Sequence, residues 1–300
     1  MRLKAWCFWV LNKCFKKPRS FQKKIEIREF LSKEVIPKYQ EKNMKKNTIY
    51  FIGLGLFDEQ DLTVKAKHIL TNCDFVFAEF YTSTMIGTDI PSIEQIIGKK
   101  ITVLDREQTE NGNIIFSALD HGNIAFIAGG DSMAATTHVD LRVRAIKKGF
   151  NTEIIHGTSI LTAVPGLLGL QHYKFGRVTT LVTPEKNYFP TSPYDVIKQN
   201  KKQGLHTLVL LDIQQEKNQY MTATEGIQLL LKMEEIRNEN VINHQDLICV
   251  VARAGSQEPL VKTDSISIMQ NKDFGPPLHT IVCPGELHFM EKEALSIISQ

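Results

Sequence analysis

The sequence predicts an α/β protein of two α/β domains with a ligand cleft between them, and three observations carry that reading. Short apolar runs alternate with helix-patterned segments from residue 48 to residue 298, the mark of layered α/β structure. The alternation is repeated in the second half of the chain. Glycines stand directly after two of the strand-like runs, Gly53-Leu54-Gly55 and Gly129-Gly130-Asp131, where open α/β sheets meet their ligands.

The elements follow in order. Residues 48–54 read as a strand, 61–70 as a helix and 74–80 as a second strand. Residues 101–104 form a strand, 114–119 a short helix and 124–128 a wholly apolar strand, with a helix over 138–148 stopped by Gly149 and a strand at 152–156. In the second half a glycine-containing helix occupies 159–170, a strand 178–183, a helix 193–203 stopped by Gly204, and a strand 206–213. A long helix runs from 223 to 238, with Thr222 as its N-cap and Glu225 three residues on, a capping box. Strands at 247–252 and 280–283 and an amphipathic helix over 286–298 complete the chain. The domain junction is expected near residues 157–170, dividing 47–158 from 159–300.

Composition is that of an ordinary globular protein, 42% hydrophobic and 23% charged. Its apolar runs fall short of the ~20 residues of a membrane helix, and a cytoplasmic protein is expected. The five cysteines, Cys7, Cys14, Cys73, Cys249 and Cys283, form no CxxC pair, so neither a zinc ribbon nor a redox dithiol is indicated. The net charge of +3 hides two unlike parts: residues 1–46 carry 14 Lys/Arg and 4 Asp/Glu, leaving 22 basic and 29 acidic residues in the body. The basic character thus belongs to the leader, which is expected to be dispensable; a transit peptide, a nucleic-acid-binding arm and a start at Met44 are its other readings. The catalytic body needs no nucleic acid.

Of the candidate sites, Gly53-Leu54-Gly55 lacks the third glycine of a dinucleotide fingerprint, since position 58 is Asp58. The turn Gly129-Gly130-Asp131 says more. Its carboxylate is placed either to bind a ribose hydroxyl or ligand ammonium, or to cap the next helix. Ala135-Thr136-Thr137-His138 either orients a polar substrate or serves as an N-cap. Neither a His-x-x-x-His pair nor a nucleophile elbow is present, so no metal site is expected. A reaction with an already activated donor, needing mainly orientation, suits such a site; orientation alone can supply ~7–11 kcal/mol of a barrier.

From Tyr50 to the C-terminus the chain resembles the diphthine synthases, a branch of the tetrapyrrole methylase-like (class III) methyltransferases. The resemblance rests on YFIGLGL (50–56), FAEFYTS (77–83), GGDSMAATTH (129–138), IHGTSI (155–160), GLHTLVLLDI (204–213), YMTA (220–223), VARAG (251–255) and CPGELH (283–288). It implies a homodimer whose two α/β domains hold S-adenosylmethionine between them. The cofactor contacts it implies are Leu56, Asp131, Ala134, Ser159, Ile160, Leu211, Ala254 and His279. Ser132 stands where the family usually has proline, which is expected to loosen the turn. The short segment between Asp212 and Tyr220 is of the archaeal type, for which the implied reaction is trimethylation of the amino group of aminocarboxypropyl-histidine on translation elongation factor 2. Glu79, Tyr81, Thr137 and His138 are the candidates facing the substrate. The competing functions are a tetrapyrrole C-methyltransferase and a non-catalytic, RNA-binding translation protein.

Overall fold

The computed structural model describes residues 47–299 other than Thr82 and Asn187; the basic leader, residues 1–46, lies outside them. Strand β1 (Thr48–Gly53) leads through a 3-10 turn (Glu59–Asp61) to α1 (Val64–Asn72) and β2 (Phe75–Glu79). Then come α2 (Ile90–Ile97), β3 (Ile101–Val103), α3 (Arg106–Asn111), α4 (Asn113–Leu119), β4 (Ile124–Ala128), α5 (His138–Lys147) and β5 (Asn151–Ile155). The five strands make one sheet in the order β3-β2-β4-β1-β5, parallel throughout.

A parallel sheet is covered on both faces, so its strands are apolar along their length; β4, Ile-Ala-Phe-Ile-Ala, is buried at every position. Its even-numbered residues Ile124 and Phe126 join Phe51, Ile115 of α4 and Leu141 of α5 in one core. Its odd-numbered residues Ala125 and Ile127 join Ile52, Leu70 of α1 and Ile93 of α2 in the other. Each large apolar side chain so buried contributes ~1.5–3 kcal/mol.

The second half holds α6 (Ile160–Leu168), β6 (Thr179–Leu181), α7 (Ser192–Lys202), β7 (Thr207–Leu211), the small hairpin β8 (Ile213–Gln214) and β9 (Gln219–Tyr220), and α8 (Ala223–Arg237). It ends with β10 (Leu247–Ala252), β11 (Leu260–Ser265), α9 (Ile266–Met269), β12 (His279–Cys283) and α10 (Phe289–Ile298). The second sheet runs β11-β10-β12-β7-β6, antiparallel except for the β6–β7 pair. Helices α7 and α8 cover one face through Tyr194, Ile227 and Leu230, while α6 and α10 cover the other through Val164, Leu168 and Leu295.

Several boundaries differ from expectation for local reasons. The first helix begins at Val64 rather than at 61, because the Thr63 hydroxyl accepts the Ala66 N–H at 3.0 Å. The last begins at Phe289 rather than at 286, because His288 and Glu291 form a reciprocal capping box there. The expected strand 206–213 is cut after Leu211: Asp212 turns out of the sheet, its carboxylate taking the Thr183 N–H at 3.0 Å and its carbonyl the Met221 N–H at 3.0 Å. The capping box of Thr222 and Glu225 forms as expected. Strands and α-helices absent from the sequence reading are α2, α3, β9, β11 and α9. Among the described residues no helix is long and apolar enough to cross a membrane.

Candidate functional site

A cavity of about 310 Å³ lies where the C-terminal ends of β1 and β4 face β7, β10 and β12. Gly55, Gly129 and Gly130 line it, and Gly53 and Gly157 pack directly against Gly130. A Cβ on Gly53, the last residue of β1, would lie 2.4 Å from the Gly130 carbonyl oxygen and 2.6 Å from the Gly157 nitrogen. One on Gly157 would lie 2.4 Å from the same oxygen and 2.6 Å from the Gly53 carbonyl carbon. Three chain segments therefore cross at backbone contact, which only residues without a Cβ permit. Gly55 and Gly130 exchange two backbone hydrogen bonds, of 3.2 and 2.6 Å, and both have positive φ.

Asp131 follows this crossing. Its Oδ1 accepts the Met133 N–H at 2.9 Å, and its Oδ2 lies 2.7 Å from Nδ1 of the exposed His156. A carboxylate only accepts, so His156 donates. Asp131 therefore does not cap α5; it is held at the cavity edge between a turn N–H and an imidazole. A second carboxylate, Asp61, fixes the opposite edge by accepting the Leu56 and Phe57 N–H groups at 2.9 and 2.7 Å.

The structure gathers all eight residues expected to touch a cofactor. Leu56, Asp131 and Ala134 line the cavity from the parallel-sheet side, Ser159 and Ile160 from the start of α6, and Leu211, Ala254 and His279 from the second sheet. The His279 ring is fully engaged: Nδ1 accepts the Ala223 N–H at 3.0 Å and Nε2–H donates to the Pro276 carbonyl at 2.9 Å. Burial pushes its pKa below the usual histidine value, against the opposing bond to Pro276. A neutral imidazole with both nitrogens committed offers a ligand its ring and no proton acceptor.

The four substrate-side candidates divide. Tyr81 lines the cavity, its hydroxyl buried. Burial, then the nearby charge of Glu79, raises its pKa. Glu79 and His138 do not line the cavity: they are 0% and 2% exposed. His138 Nδ1–H donates to the Ser132 carbonyl at 2.8 Å. Its Nε2 stands 3.1 Å from Glu79 Oε1, at ion-pair distance but off hydrogen-bond alignment. These two brace the turn from behind. Thr137 is the exposed N-cap of α5, and its neighbour Thr136 reaches the cavity instead. The Ser132 carbonyl also accepts the Thr136 hydroxyl at 3.0 Å.

Three charged residues of the lining escaped the sequence reading, Arg106, Asp212 and Arg253. Asp212 had the same signal as Asp131, an acid ending an apolar strand run. Arg106 follows the short strand β3 at the first position of α3, with no glycine turn to single it out. Among the described residues no three His, Cys, Asp or Glu side chains converge as metal ligands.

Comparison with known proteins bears on this geometry. Residues 48–267 match the family of tetrapyrrole (corrin/porphyrin) methylases. The diphthine synthase of Methanococcus maripaludis is 51% identical over 248 residues, covering 82% of this chain and 96% of the relative. That of Methanosphaera stadtmanae is 47% identical over 247 residues, with coverage of 82% and 94%. Among solved structures, a putative diphthine synthase from Entamoeba histolytica superposes with a TM-score of 0.78 at 32% identity, covering 85% of this chain and 99% of that one. A further diphthine synthase structure gives 0.77 at 34% identity, with coverage of 84% and 96%.

Proposed function

Since the chain belongs to the tetrapyrrole methylase family, in its diphthine synthase branch, we propose that its cavity holds S-adenosylmethionine and that it methylates the amino group of aminocarboxypropyl-histidine on translation elongation factor 2. It is a methyltransferase of diphthamide biosynthesis. The observation that carries the reading is the glycine-lined cavity with Asp131 at its edge, lined by every residue the resemblance assigned to the cofactor. In this reading the halves 47–158 and 159–300 are the cavity's two walls, and the working form is a homodimer.

The residues present fit the cofactor. The glycine crossing lets a ligand lie against backbone, Leu56, Ile160 and Leu211 offer apolar walls, and Asp131 offers an anion for a ribose hydroxyl or an ammonium. When bound, the cofactor supplies a methyl group already activated on a sulfonium. What remains for the protein is orientation and exclusion of water. No residue of the lining is needed as a base, because a substrate amine loses its proton to water before attack. With the cofactor held there, Asp131 and the apolar walls would keep its methyl in line with the amine's lone pair.

Incubation of the protein with S-adenosylmethionine and the precursor form of elongation factor 2 is expected to add up to three methyl groups, read by mass spectrometry of the modified histidine peptide. Absence of any gain, together with methylation of a tetrapyrrole precursor, would reverse the assignment. Asp131→Ala is expected to weaken cofactor binding by ~1.5–3 kcal/mol, the loss of one charge-assisted contact. Calorimetry giving wild-type affinity for a folded Asp131→Ala protein would remove Asp131 from the site.

A further inference from the structure

We infer that the neck between the cavity and an outer polar chamber reads the zwitterionic end of the substrate, Arg106 taking its carboxylate and Asp212 its amine. This deepens the proposed function and rests on it.

The outer chamber, about 410 Å³, adjoins the cavity, and the two share Tyr81, Arg106, Asp212 and Ile213. None of the eight cofactor-side residues borders the outer chamber. The neck thus belongs to whatever enters after the cofactor. It carries one cation and one anion, and among the described residues no ion pair joins them or occupies Arg106. The Arg106 guanidinium lies over the Tyr81 ring, 5.0 Å from its centroid, an arrangement that orients the planar fork while leaving its N–H edge open. Such a fork matches a carboxylate with two parallel hydrogen bonds.

Asp212 is fixed as firmly. Its Oδ2 accepts the Thr183 N–H at 3.0 Å and the Gln214 amide at 2.8 Å. Burial alone would raise its pKa, but these donors outweigh burial and hold it below the ordinary carboxylate range. It is therefore an anion at neutral pH. Aminocarboxypropyl-histidine ends in a carboxylate and an amine on one carbon, so a substrate that offers both charges meets both partners at once. Asp212 follows directly on Leu211 of the cofactor wall, which places the amine at the cofactor-facing side of the neck. A second consequence concerns repeated transfer. Each methyl removes an N–H donor, while attraction between a carboxylate and the cationic nitrogen persists through every stage.

The test measures steady-state methylation of precursor elongation factor 2, with cofactor affinity by calorimetry on the same preparations. Arg106→Gln and Asp212→Asn are each expected to raise KM for the protein substrate about ten- to hundredfold, the loss of a charge-assisted contact. Cofactor affinity should stay at the wild-type value, and Arg106→Lys should recover part of the loss. Arg106 is exposed, so its substitution leaves the fold intact. Unchanged KM in both variants, with wild-type protein active, overturns this inference and leaves the proposed function standing. Weakened cofactor binding in either variant also overturns it, by assigning the neck to the cofactor's own amino-acid tail. An inactive wild-type protein overturns the proposed function first, and the inference with it.

Discussion

Replacing Gly53 by alanine is expected to destabilise the protein by at least about 3 kcal/mol, the upper range for inserting one methyl into packed structure. The two contacts it would make, at 2.4 and 2.6 Å, are with backbone atoms of Gly130 and Gly157, which cannot rotate away as a side chain would. Relief requires moving β1 relative to the turns after β4 and β5, and those turns carry Asp131 and the start of α6. Cofactor binding should therefore fall together with the melting temperature. Gly166 provides the opposite case. It lies in α6, exposed, and a Cβ there meets nothing within 4 Å. Gly166→Ala should stabilise by ~1 kcal/mol through helix propensity alone. Thermal melts of the two variants should move in opposite directions; a Gly53→Ala protein that melts with the wild type would show that the crossing yields easily.

Substitution of Glu291 by alanine is expected to cost ~3–5 kcal/mol, the loss typical when one partner of a buried ionic cluster is removed. Glu291 is wholly buried, and both its oxygens are occupied. Oε1 accepts from the Gln171 N–H at 2.9 Å and His206 Nε2 at 3.0 Å; Oε2 accepts from Lys174 Nζ at 2.6 Å and the His288 N–H at 2.8 Å. His206 Nδ1 accepts the Gly285 N–H at 2.9 Å, which fixes the tautomer that donates to Glu291. The cluster ties α10 to the segment before β6 and to the start of β7.

Its pH dependence has a definite sign. Burial raises the Glu291 pKa, but Lys174 and the other donors outweigh it and bring it from 4.5 down to about 2. The stability this contributes is present above pH 4.5 and is lost as pH falls toward 2. His206 is held neutral by burial, which outweighs the raising effect of Glu291 and leaves its pKa below 6.5. Its contribution is likewise present above pH 6.5 and lost on acidification. Both groups act in one direction, so denaturant midpoints should decline from about pH 6.5 downward and more steeply below 4.5. In Glu291→Gln the steeper part should be much reduced. An acid limb of wild-type steepness in that variant would place the titration elsewhere.

Where a segment's partners are close in sequence, or its whole length is buried, the chain itself displayed the structure. Strands Ile124–Ala128 and Leu247–Ala252 were expected at those residues, because an apolar run between turn residues has one use in a layered fold. The edge strand Leu260–Ser265 escaped notice because it is half-exposed at every position and carries Lys262 and Asp264, so no apolar pattern marks it. Helix α2 did carry signals, an Asp89 cap bonded to Ser92 and a left-handed Gly98 at its end, which the reading of this stretch passed over. At the site, the glycine turn and Asp131 were visible because backbone proximity demands a residue type. The separation of Thr136 from Thr137, and of Tyr81 from Glu79 and His138, was not, because it depends on how the turn is wound. Ala135 there takes a φ of 57, a left-handed conformation in the middle of the motif that the residue type does not announce.

The order of strands in the parallel sheet also sets a timetable for the chain. Strand β1 is the first to leave the ribosome, yet its two neighbours are β4 and β5. Until residues 124–155 have been made, β1 has no permanent mate, and its apolar sequence must wait with exposed edges. Gly53 meets Gly130 and Gly157 only at the close of that interval, so the glycine crossing is among the last parts of this sheet to exist. Long loop closures of this kind slow folding. A nascent chain halted before residue 151 would then carry β1, β2 and β4 without the crossing, and so without any capacity to hold the methyl donor. The parallel-sheet wall of the cavity thus forms when β5 docks, and Leu211, Ala254 and His279 of the second sheet complete it later.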